Sequence, residues 1–62
     1  MKFCYVVVKM VFDSEGELVY KTVDTVFTDF NEAKHYVSNA QFYADFNEIP
    51  DEYYIITREL RG

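Results

Sequence analysis

Few residues in this chain could carry chemistry. There is one cysteine, Cys4, and one histidine, His35. A lone cysteine closes no internal disulfide and builds no thiolate zinc site. On a helix, a second metal ligand for His35 belongs four residues on, where Asn39 stands. As a general base His35 has no nucleophile beside it in sequence. Two glycines cannot make a glycine-rich phosphate loop. The expectation is a chain with no catalytic residue, no metal and no cofactor, in which Cys4 is a small buried hydrophobe and His35 faces solvent.

The carboxylates are the second candidate group. Asp45, Glu48, Asp51 and Glu52 fall within eight residues that hold no Lys or Arg, and Asp13, Glu15 and Glu17 crowd another short stretch. As solvated loops they are ordinary. As a surface they could imitate nucleic-acid phosphates and meet a basic protein partner, with fast, salt-sensitive binding. Small acidic inhibitors of phages and other mobile elements share this size and charge, an analogy of composition with no motif behind it. The third group is Tyr5, Tyr20 and one of Tyr53 or Tyr54, on which bases of a nucleotide or single strand could stack. The basic-Gly-aromatic pattern of RNA-recognition sheets is absent. A net charge of −5 also opposes duplex binding, which needs basic residues to displace counterions. Nucleic acid is the less favoured partner.

The elements that must position these residues are legible. The chain has 62 residues, half of them hydrophobic and 19% aromatic, which excludes a disordered or low-complexity chain. It is one small domain, 1–62, too short to close around a deep substrate cleft. Lys2 to Phe12 is dense in Val and aromatics and reads as a strand. Asp13-Ser14-Glu15-Gly16 is turn chemistry, and Leu18 to Phe27 is a second strand, so the two form a hairpin. Asp29 with Glu32 three residues on reads as a capping box. Phe30, Ala33, Val37, Ala40 and Ala44 then lie on one helical stripe, the helix ending between Asn39 and Phe46. Asn47 to Asp51 is a loop around Pro50, and Tyr53 to Arg58 a last strand. The fold class is α+β with order ββαβ: a three-stranded antiparallel sheet in the order 2-1-3, with the apolar first strand central and one helix packed on one face.

Two hairpin registers compete. A four-residue loop from Ser14 to Glu17 sets Val8 opposite Val23, Cys4 opposite Phe27 and Val7 opposite Asp24. A three-residue loop ending at Gly16 suits the turn residues better but sets Lys9 against Lys21, a like-charge pair. The first is favoured. With it, the helix is expected to cover Cys4, Val6, Val8, Met10, Phe12, Val19, Val23 and Phe27. The open face is then Phe3, Tyr5, Val7, Val11, Leu18, Tyr20 and Val26, joined by two or three residues from Tyr53, Tyr54, Ile55 and Ile56, with Lys9, Thr22 and Asp24 among them. A single helix covers one face of a sheet, yet both faces here carry large apolar residues. The open one exceeds what a monomer normally leaves exposed.

Three things could cover that face: the segment from Phe42 to Ile49 with the termini, a second copy of the chain, or a different protein. A homodimer is the leading expectation, because a domain this small, with neither disulfide nor metal, usually needs a further support. Edge strands also invite strand addition by a second protein. Unpaired cysteine usage suggests the cytoplasm. Lys9 cuts the apolar run from Phe3 to Val8 after six residues, too short for a signal sequence or a span, and no membrane partner is expected.

Overall fold

The computed structural model describes residues 2–60. Four elements follow in order: β1 (Lys2–Phe12), β2 (Leu18–Phe27), α1 (Phe30–Phe46) and β3 (Asp51–Leu60). They form a three-stranded sheet in the order β2-β1-β3 with both pairings antiparallel. The ββαβ fold expected from the sequence is the fold observed. The last strand is longer at both ends than the run from Tyr53 to Arg58.

The helix starts where its cap predicts. The Asn31 N–H donates to the Asp29 carboxylate at 3.0 Å, and the Ala33 N–H to the Asp29 carbonyl at 3.1 Å. It ends in a Schellman motif: the Ile49 N–H donates to the Ala44 carbonyl at 2.8 Å and the Glu48 N–H to that of Asp45 at 3.2 Å. This motif places its closing residue in the left-handed region, which favours glycine. Glu48 occupies it, with φ 57°. Ala33 and Ala44 are buried against the sheet, with Val37 and Ala40 half-buried between them, so the alanine stripe does bring the helix close.

Both hairpin registers occur, in different parts of the ladder. At the tip Phe12 pairs with Leu18, and the Asp13 N–H donates to the Glu17 carbonyl at 2.9 Å. This is the three-residue loop, with Gly16 at φ 84°. One step further Val11 pairs with Tyr20, so Val19 is an extra residue on β2. Beyond this bulge Lys9 meets Thr22 and Lys21 meets Met10, and the two lysines are not opposed. A second shift leaves Asp24 unpaired between Val23, opposite Val8, and Thr25, opposite Val7. Thr25 thereby sits beside the fully buried Val7, where a carboxylate would be desolvated. Asp24 instead accepts a hydrogen bond from the Tyr36 hydroxyl.

The helix covers the opposite face of the sheet from the one expected. Tyr5 packs edge-on against Phe30 with ring centres 5.4 Å apart, and its partner Phe27 lies 5.5 Å from Tyr36. Strand alternation then puts Val7, Lys9 and Val11 on the helix side. Val7, at 0% exposure, is the centre of the core. Tyr5, Val7, Val11, Tyr20 and Tyr53 are therefore not on the open face, and neither is Phe3, although it stands partly exposed beyond the helix start. Lys9 is accommodated on this side, its ammonium reaching Asp51 at 3.5 Å beside the last helical turns. Tyr53, then Asp51, raise its pKa above the ordinary lysine value while burial pulls the other way. A charge so placed is satisfied on the covered side.

Candidate functional site

The sheet face away from the helix is set by register. Val6, Val8 and Met10 run along β1. Val26, Val23 and Lys21 stand beside them on β2, and Ile56, Tyr54 and Glu52 on β3. Cys4 continues the row with Arg58 on its β3 side. The helix lies on the Tyr5 side, and no other described element lies over this face. Val8 is nevertheless only 7% exposed, flanked by Val23 and Tyr54, whereas Val23 and Val26 on the edge strand are 59% and 52% exposed. Of the sequence-derived interface set, Val26 and Tyr54 belong here, while Leu18 pairs with Phe12 at the end closed by the α1–β3 loop. Ile56, one of the last-strand candidates, is also here, and Val6, Val8, Met10 and Val23 replace those under the helix. An open apolar face was legible in the sequence, but on the wrong alternate residues.

The second candidate region is one end of the molecule. The hairpin turn and the α1–β3 loop, far apart in sequence, close on one another around Phe12, Gly16, Ile49 and Pro50. Asp13, Glu15, Glu17, Asp45, Glu48, Asp51 and Glu52 thus gather at one pole, seven of the eleven acidic residues. Among the described residues the only ion pair is Lys9 to Asp51. The helix points its C-terminal end here, with no basic residue in its last turn, and the negative end of its dipole adds to the field. The Asp13 carboxylate is turned inward, accepting from the Glu15 and Glu17 N–H groups at 2.9 Å each. It organises the turn. Gln41 ties the helix to the start of β3, donating to the Asp51 carbonyl at 3.0 Å and accepting from the Tyr53 N–H at 3.2 Å.

Beside this pole stands a feature that sequence reasoning missed. Phe42 and Phe46 stack with ring centres 6.2 Å apart on the outer side of the helix, 72% and 78% exposed. Both lie half a helical turn from the alanine stripe, and that angle was the available signal. They turn away from the sheet and do not cover its open face.

The remaining candidates are dispersed. His35 is exposed on the outer helix surface beside Asn31, Lys34 and Ser38. Cys4 is half-buried on the uncovered sheet face. Tyr5, Tyr20 and Tyr53 lie on the helix side of the sheet, Tyr5 packed edge-on against Phe30, and Tyr54 lies on the other side. Among the described residues no three His, Cys, Asp or Glu side chains are grouped to hold a metal ion. No described helix is long and apolar enough to cross a membrane. The chain matches no protein-family model, no curated protein and no solved structure.

Proposed function

We propose that this chain is a non-enzymatic protein-binding module, acting in the cytoplasm, whose association surface is the uncovered face of the sheet. One observation carries this reading. The single helix is spent on one face, and the other still presents a contiguous apolar strip three strands wide. Val23 and Val26 test it, because each is more than half exposed on an edge strand and pairs with a β1 residue of the face away from the helix. Changing both to Asp is expected to abolish association and to leave the circular dichroism spectrum and dilute urea unfolding within about 1 kcal/mol of the parent. A loss of monomer stability of several kcal/mol would place the face in the monomer's own core and overturn the reading.

A second reading concerns the acidic pole, as a surface that meets a basic protein in the place of nucleic acid. It is favoured by the convergence of two acidic loops beside the exposed Phe42–Phe46 pair, an apolar anchor rimmed by like charge. The test is competition. A protein that holds DNA in a basic groove should release it when this chain is added at low salt, less so at high salt, and not with the Phe42→Ser, Phe46→Ser variant. Release unaffected by salt and by that variant overturns it.

A further inference from the structure

We infer that the occupant of the uncovered face is a second copy of this chain, related by a two-fold axis running along β1. The inference rests on the reading of that face as the association surface and adds its occupant and geometry. Two sheets packed face to face keep their strands within about 30° of one another, and a two-fold contact must be self-complementary. An axis along β1 lays β1 on its own copy and β2 on β3 of the second copy. The ladder then decides what meets what. Lys21 and Glu52 both flank Met10, Val23 and Tyr54 both flank Val8, and Val26 and Ile56 both flank Val6. Each β2 side chain therefore meets the residue from the same level of β3: Lys21 meets Glu52 of the second copy, and apolar meets apolar at the other two levels. The Lys21–Glu52 ion pair forms twice, by symmetry. An axis across the strands at Val8 instead sets Lys21 on Val26 and Glu52 on Ile56, leaving four charges against apolar side chains.

Charge agrees with this occupant. Lys21 and Glu52 have no salt-bridge partner among the described residues, so both are available to the second copy.

Cys4 supplies a built-in reporter. It lies on β1, under the proposed axis, so the two copies of Cys4 face one another across the interface. Packed sheets are about 10 Å apart, which puts the two Cys4 backbones roughly 10–12 Å apart, too far for a disulfide and within reach of a short bismaleimide. The crosswise axis separates them by more than about 25 Å, since Cys4 is four residues from Val8 at ~3.3 Å each. The experiment uses the full chain in sedimentation equilibrium and in bismaleimide cross-linking. The expected native mass is about 15 kDa, twice the 7.4 kDa chain, with cross-linking at Cys4. Lys21→Glu and Glu52→Lys are each expected to weaken the dimer at least ~10-fold, and the double exchange to recover it to within about 3-fold.

A dimer that neither cross-links nor recovers in the double exchange overturns the axis. A monomer at all concentrations whose native face binds anilinonaphthalene sulfonate, with binding lost in Val23→Asp, overturns the second copy and leaves the face as a site for another protein. A monomer without that dye signal overturns both readings.

Discussion

At the level of single residues the structure separates side chains that hold the fold from those that only resemble them in type. Val7 and Val23 are both valines of the sheet, but one is fully buried under the helix and the other largely exposed. Val7→Ala should cost about 2 kcal/mol in dilute urea unfolding, and Val23→Ala less than about 0.5 kcal/mol. Tyr36 gives a pH signature. Its hydrogen bond to Asp24, with burial and the Asp24 charge behind it, raises the phenol from its ordinary 10.0 to about 12. The folded state thus holds this proton more tightly than the unfolded chain. The stability it contributes is complete below pH 10 and drains away as pH rises towards 12. Unfolding of Tyr36→Phe should show lower stability at neutral pH and a shallower loss between pH 10 and 12. Neither Tyr36 nor Lys9 was legible in the sequence as a contact. Each depends on a carboxylate brought from another element, Asp24 of β2 or Asp51 of β3, and nothing local marks that meeting.

The elements were far more legible than the faces they bury. Strand-forming composition, the Asp29 cap and the alanine stripe are local signals, and each corresponds to an observed element. The hairpin was legible in an unusual way. Turn chemistry argued for one register and lysine repulsion for another, and the Val19 bulge lets both hold. Which alternate residues of β1 face the helix was not legible. A crossover from β2 through α1 to β3 has a preferred hand, but the phase of hairpin hydrogen bonding decides which side chains then point inward. Apolar residues on both sides of β1 leave that phase unmarked. The helix end carries its own prediction. Glu48 holds a left-handed backbone suited to glycine, so Glu48→Gly should raise the thermal midpoint, by roughly 0.5–1 kcal/mol of stability. The same change removes a carboxylate from the acidic pole, so any competition with DNA should weaken as the fold strengthens.

Across the whole molecule the chain is thinner and more open than its length requires. Its surface is 4860 Å², against roughly 4,200 Å² from the scaling of compact monomers. Its radius of gyration is 12.9 Å, where about 10.6 Å is usual for this length. Among the described residues only Val7, Val8, Ala33 and Ala44 are buried hydrophobic residues, so the monomer has one layer of core and half of a second. Stability should then depend on association: the thermal midpoint should rise with protein concentration, and Val23→Asp, Val26→Asp should remove that dependence. A midpoint independent of concentration over a hundredfold range would contradict a dimer held by this face.

The two bulges of β2 have a consequence for how copies of this chain can aggregate. A flat edge strand with a regular row of free N–H and C=O groups is a template on which another strand can add, and then another, without end. On β2 the row is broken twice, at Val19 and at Asp24, and Lys21 stands between the breaks. A strand laid along this edge would lose its phase at each interruption and meet a charge in the stretch between. Fibre growth is thereby discouraged on that side. The irregularities that settle the hairpin also steer the protein away from edge contacts that repeat.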